Sequence, residues 1–336
     1  MTTLPTTEPF GVLTDLARGD QARVTDVYNA VWAGWLPGER PISTGALVDV
    51  HRFSAHPERI ARRLVRDERG GLVGWGELIW RHGPGAANLR VMVDPAHRRE
   101  GFGRAIGAAL VADARVAGRS GVTVEVPLDD PAEEICAANG FRQDMEVEQN
   151  RTDPRSISVA LLEEWKVAGE ATAGYSLVAY DVPCPSRELA ADFVEARMVM
   201  NDAPRWEGEP EATYTVEELT AVEAASVAAG LDWWNVGVRH DASGALVGLS
   251  EVYLPSKRPW MVFQGDTGVA AAHRGAWARR VDEGREPPAP PGRAPGGRDR
   301  ADVERGRQRA DAPDQPRPRL RARAALPRVV PARGVA

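Results

Sequence analysis

One stretch of this chain carries residues able to bind an anion. From Leu89 to Ile106 it reads Leu-Arg-Val-Met-Val-Asp-Pro-Ala-His-Arg-Arg-Glu-Gly-Phe-Gly-Arg-Ala-Ile. Gly101 and Gly103 have no Cβ, so backbone N–H groups there can come close to a ligand. If a helix opens at that point, its first N–H groups lack internal partners and carry partial positive charge, which suits a phosphate. Arg98, Arg99 and Arg104 add guanidinium forks that match phosphate oxygens.

The elements that must hold this loop follow from the flanking pattern. Val91 and Val93 alternate with Arg90 and Met92 as in a strand, and Pro95 stops it. After the glycines, Ile106, Ala109, Leu110 and Ala114 give a helical face that ends at Gly118. Upstream, Pro9–Leu16 predicts a first strand, and Asp20 a cap for a helix through Val24, Val27, Val31 and Trp32. A second helix is predicted over Ser43–His51. Arg62–Arg66 and Leu72–Trp80, around the turn Asp67-Glu-Arg-Gly-Gly71, predict a hairpin. Val122–Val126 predicts a strand, and Pro131 opens a helix that Asn139-Gly140-Phe141 closes.

Arg98-Arg-Glu-Gly101-Phe-Gly103, between that strand and that helix, resembles the Arg/Gln-x-x-Gly-x-Gly/Ala loop of the GNAT superfamily of N-acetyltransferases. The likeness covers about residues 9 to 152. It implies an α/β (α+β) fold, a mixed sheet flanked by helices, and direct transfer of acetyl from acetyl-CoA to an amine. It also implies a cofactor-binding set. Backbone groups of Val91, Met92 and Val93 would run along the pantetheine arm, and Arg98, Arg99, Gly101, Phe102, Gly103 and Arg104 would hold the pyrophosphate. Acetyl-CoA is the expected co-substrate, an amine the expected acceptor, and no metal is implied.

Acyl transfer to an amine asks for a base at the amine and an acid at the departing thiolate. Family members often carry a tyrosine four residues before the closing Gly-Phe; here that position is Cys136. Its thiol either donates a proton or packs as a small apolar residue. Asp129 stands where the family often has asparagine near the cofactor. Glu77 and Glu125 are the candidate bases, each with the alternative of a solvated strand face. His97 and His273 fit loop geometry better than metal binding. The tryptophans at 32, 35, 75, 80, 206, 233, 234 and 260 either line an acceptor cleft or pack in cores.

The pattern then starts again. Leu161–Ala168 predicts a linking helix, followed by a strand at Tyr175–Tyr180 and helices at Ser186–Asn201 and Val216–Ala229. Thr215 and Glu218 form a capping box for the last of these. A further hairpin follows, with Val236–His240 and Ala245–Leu254 around Asp241-Ala-Ser-Gly244. Val247-Gly-Leu-Ser-Glu251 echoes Val73-Gly-Trp-Gly-Glu77, and His273-Arg274 echoes His97-Arg98, so a tandem duplication is expected.

The echo stops at Gly275, because Trp277 and Arg279 stand where the glycines should recur. Beyond it the alphabet shrinks to little more than Ala, Arg, Gly, Pro, Val, Leu, Asp and Glu, a composition that predicts disorder. It is what G/C-rich codons give when read out of register, which points to a frame shift near Gly275. The alternative is a genuine arginine-rich arm. The tail holds 15 Arg against 8 acidic residues, while the rest of the chain holds 27 basic against 40 acidic, within a net charge of −6. With its interspersed acids and no aromatic after Trp277, the tail makes a poor single-strand binder, and nucleic acid is not an expected partner.

A length of 336 residues allows two domains. The expected division is an N-terminal domain over 1–152, a linker and helix over 153–173, an incomplete second domain over 174–275, and the tail over 276–336. No apolar run approaches the roughly 20 residues of a membrane span. Only Cys136 and Cys184 are present, and the N-terminus has no signal-peptide pattern, so a reducing cytoplasm is expected.

Overall fold

The computed structural model describes residues 4–36, 38–52, 58–81, 85–128, 130–204, 211–275 and 319–324. The chain opens with β1 (Thr7–Phe10), α1 (Arg18–Trp35) and α2 (Thr44–Arg52). There follow β2 (Glu58–Arg66), β3 (Leu72–Arg81), β4 (Ala87–Val93), α3 (Phe102–Val116), β5 (Val122–Pro127), α4 (Ala132–Ala138) and β6 (Arg142–Glu148). The first strand is shorter than the sequence predicts. It ends at Phe10 because Asp15 accepts from the Val12 amide at 2.9 Å and winds Leu13–Asp15 into a single 3₁₀ turn. Nor does Asp20 cap α1. The helix begins at Arg18, and the Asp20 carboxylate instead takes both ends of the Arg66 guanidinium at 3.0 and 2.8 Å.

These six strands belong to one seven-stranded sheet, completed by a strand from the tail, with a helix layer on each face. Val24, Val27 and Val31 of α1 recur at helical spacing and bury themselves with Leu47 and Trp75 on one face. On the other face α3 lays Ile106 and Leu110 against Val65, Leu78 and Leu89. The close approach of α3 requires Gly76: a Cβ there would stand 2.6 Å from the Arg90 carbonyl oxygen and 2.7 Å from Ile106.

A second set follows the exposed helix α5 (Val159–Glu170). It comprises β7 (Tyr175–Asp181), α6 (Arg187–Arg197), α7 (Val216–Ala228), β8 (Leu231–His240), β9 (Leu246–Pro255) and β10 (Phe263–Val269), and its sheet order is β10-β9-β8-β7. The order strand, two helices, three strands therefore occurs twice. The helix predicted over 186–201 is broken, continuing beyond Arg197 as a 3₁₀ turn to Asp202. Phe193, Trp233 and Leu249 fill the core under α6 and α7. On the opposite face of this sheet Leu177, Trp234, Val236 and Val269 are exposed. The corresponding face of the first sheet is the one α3 covers.

The expected disorder of the tail does not hold for Arg319–Ala324. This segment forms β11 and enters the first sheet between β5 and β6, antiparallel to both, in the order β1-β2-β3-β4-β5-β11-β6. The composition argument misses this because a strand gaining backbone bonds from two neighbours needs little apolar burial of its own. The register sets Arg319 across from Glu148 and Arg321 across from Glu146. The rest of the tail, including the point of the expected frame shift just beyond Gly275, lies outside the described residues.

The two halves meet around α2. Lys257 reaches Asp49 at 2.7 Å and packs its stem against Gly45. Arg40 lies over the Trp260 ring, 5.7 Å from its centroid. Among the described residues no helix is long and apolar enough to cross a membrane.

Candidate functional site

Strands β4 and β5 run parallel and pair only at Ala87–Val122 and Asn88–Thr123. Beyond Asn88 they part, while β4 stays bonded to β3 as far as Val93. Among the described residues the β5-facing edge of Leu89–Val93 therefore has no strand neighbour, which leaves a gap between the two strands.

The gap ends at the arginine-glycine loop. Asp94 caps the turn Pro95–His97 by accepting from the Ala96 amide at 2.9 Å. It also pairs with Arg23 of α1, whose Nε donates to the Leu72 carbonyl at 3.0 Å. Burial alone would raise the Asp94 pKa, but the Ala96 amide and Arg23 hold it below the ordinary carboxylate range. Arg99 (φ 71°) and Gly101 (φ 92°) turn the chain through left-handed backbone into α3. The Ala105 amide is bonded to the Gly101 carbonyl, so the N–H groups of Phe102, Gly103 and Arg104 precede the helical ladder. Arg98, Arg99 and Arg104 are exposed around them. The Phe102 ring packs into the core, leaving its backbone alone to face a ligand.

A cavity of about 330 Å³ lies near the start of the gap, lined by Val50, His51, Ile60, Arg62, Glu77, Ile79, Asn88 and Arg90. Of the sequence-predicted proton carriers, Glu77 alone lines it. It is not a solvated strand residue: its side chain is 3% exposed, and its two oxygens accept from Arg62 Nε at 3.1 Å and Arg90 at 2.7 Å. Burial pushes its pKa up, yet Arg90, His51 and Arg62 together hold it lower than usual.

His51, at the end of α2, went unremarked in the sequence because a single histidine on a short helix belongs to no motif. It is 9% exposed, its ring stands edge-on to Trp75 with centroids 5.3 Å apart, and its Nδ1 is buried without a hydrogen-bond partner. Burial, reinforced by Arg62 and Arg90 against Glu77, lowers its pKa to about 4. The ring is therefore neutral at physiological pH and can accept a hydrogen bond in the Nε2–H tautomer.

The other two predicted proton carriers stand elsewhere. Glu125 is exposed on β5, across from Ala322 of β11. Cys136 is buried on α4 in the core cluster that includes Val124 and Val126, with Phe141 packed against it. Asp129 and Trp206 lie outside the described residues. Trp75 and Trp233 are core residues, not cleft walls.

Parted parallel strands feeding a glycine loop at a helix N-terminus place the first half in a known class. Residues 24–141 match the family model of the acetyltransferase (GNAT) family. Over 153 residues the chain is 33% identical to the mycothiol acetyltransferase of Nocardia farcinica (strain IFM 10152), a match spanning 45% of each protein. Thus less than half of that relative's length is matched. Among solved structures, a tandem GNAT protein from the clavulanic acid biosynthesis pathway superposes with a TM-score of 0.58 at 22% identity, covering 95% of this chain and 98% of that one. A GCN5-related N-acetyltransferase from Sphaerobacter thermophilus gives 0.53 at 15% identity, covering 96% of each. At these identities the two structures speak to the fold alone.

Proposed function

We propose that the N-terminal domain binds acetyl-CoA in the gap between β4 and β5 and transfers the acetyl group to an amine held in the adjoining cavity. The observation that carries this reading is the parting of β4 from β5 beyond Asn88, directly above the Gly101 loop. The open edge at Val91, Met92 and Val93 suits a pantetheine amide chain, which bonds to backbone as a strand would. The first-turn N–H groups of α3, with Arg98, Arg99 and Arg104, suit a pyrophosphate.

Acetyl-CoA supplies an activated acyl group. The amine nitrogen bonds to the thioester carbonyl carbon, the C–S bond breaks, and the proton lost by the amine balances the one gained by the leaving thiolate. Glu77 cannot easily serve as base while two arginines hold its oxygens, so its role is to fix Arg62 and Arg90. His51 lines the same cavity as a neutral ring, its buried Nδ1 without a hydrogen-bond partner. Isothermal titration with acetyl-CoA and thiol release across an amine panel test this. Binding with thiol release is expected, and absence of binding would sink the reading.

A second reading is a non-catalytic acyl-CoA-binding domain, favoured by Cys136. This residue stands where a proton-donating tyrosine is common, and it is built into the core. Binding without thiol release for any amine would favour it. The face of the second sheet that no described residue covers supports a third, a second half that is destabilised as it stands.

A further inference from the structure

We infer that the acceptor is an amine that also carries a carboxylate, and that Arg90 receives this carboxylate. The inference rests on the acyl-transfer reading above and concerns the chemistry of the cavity. Three of the eight lining residues are charged: Arg62 from β2, Glu77 from β3 and Arg90 from β4. His51 from α2 is neutral, and Asp49 on the same helix is taken by Lys257. Two cations therefore face one anion, between the apolar walls of Val50, Ile60 and Ile79.

The two arginines differ in what they have left to give. Arg62 is 4% exposed and spent: Nε donates to Glu77, one terminal nitrogen to the Gly11 carbonyl at 2.8 Å, and the other lies 3.5 Å from the His51 carbonyl. Arg90 is 36% exposed and, among the described residues, makes one hydrogen bond, from Nη1 to Glu77. The rest of its fork faces a half-closed, partly apolar space where an unbalanced cation is costly. A planar fork with free N–H groups matches a carboxylate. A simple ammonium would add to the positive excess. An amine bearing a carboxylate cancels it.

Matched pairs of amines on the full chain test this: L-alanine against L-alaninamide, and β-alanine against propylamine, with O-phosphoethanolamine as a third anion. Titration and thiol release are both read. The acid of each pair is expected to bind about tenfold better or more, as a charge-assisted bond implies. Arg90→Gln should narrow the acid-to-amide ratio toward one, with Arg90→Lys between. A thermal melt and an acetyl-CoA titration report whether each variant is folded. If Arg90→Gln does not fold, the ratio in the unaltered protein decides. Amides binding as well as acids, a ratio surviving in folded Arg90→Gln, or O-phosphoethanolamine outranking every carboxylate would each overturn the inference. Loss of acetyl-CoA binding is a separate failure, of the acyl-transfer reading, because direct titration of the pairs still reads the carboxylate preference.

Discussion

Arg62 donates to Glu77 across strands β2 and β3 at 3.1 Å, with both side chains almost fully enclosed. Removing one partner of such a pair leaves the other charge buried and unmatched. Glu77→Ala is expected to cost about 3–5 kcal/mol in urea denaturation, the range for breaking a buried pair. Glu77→Gln, which keeps the shape and one acceptor, should cost less. If Glu77→Ala were neutral in stability but abolished turnover, Glu77 would be a base and not a support.

His51 makes stability depend on pH. Its folded pKa of about 4 lies below the 6.5 of an ordinary imidazole, so between those values the unfolded chain binds more protons. The stabilisation is complete above pH 6.5 and is lost as pH falls toward 4, by at most about 3 kcal/mol. The depressed Glu77 carboxyl works in the same direction at the acid end. Melting temperatures from pH 7 to 4.5 should fall, and His51→Gln should flatten the curve. An unchanged slope in that variant would count against this account.

Gly101 and Gly103 separate folding from binding. Gly101 sits at φ 92°, so Gly101→Ala should cost roughly 1–2 kcal/mol for left-handed backbone. A Cβ at Gly103 would meet Val93 at an ordinary 3.5 Å, so Gly103→Ala should fold normally. It should nevertheless weaken acetyl-CoA binding by holding the backbone off the pyrophosphate. Calorimetry on both variants checks this, and unchanged affinity in Gly103→Ala would place the phosphate elsewhere.

Much of the first half was legible in the sequence because its signals are local. Val91, Pro95, Gly101 and Gly103 set a strand, a stop and a helix start within a few residues of one another. The cavity was not legible, since His51, Arg62, Glu77 and Arg90 come from four elements and meet only through pairing register. Glu77 looked like a surface strand residue because alternation alone does not say which face α2 covers. Cys136 could be read two ways from its spacing, and its burial on α4 is a tertiary fact. The strand at Arg319–Ala324 escaped because composition speaks to self-sufficiency and not to a vacancy in a distant sheet.

Among the described residues nothing covers the outer face of the second sheet, which predicts association. Leu177, Trp234, Val236 and Val269 form an exposed apolar surface of a kind that soluble monomers usually cover. The full chain should bind a hydrophobic dye and self-associate as its concentration rises. Trp234→Lys should reduce both, as light scattering and dye fluorescence would record. A chain that stays monomeric and dark to the dye would show that the face is covered in solution.

The position of β11 bears on the order in which the molecule can be made. Leu320 pairs with Pro127 and Val147, so the strand that joins β5 to β6 leaves the ribosome long after both of them. Until then β5 and β6 have a missing neighbour between them, with open edges that invite foreign strands. Contacts this distant along the chain are slow to form. The half that carries the Gly101 loop therefore waits, during synthesis, on a segment far along the chain to close its sheet.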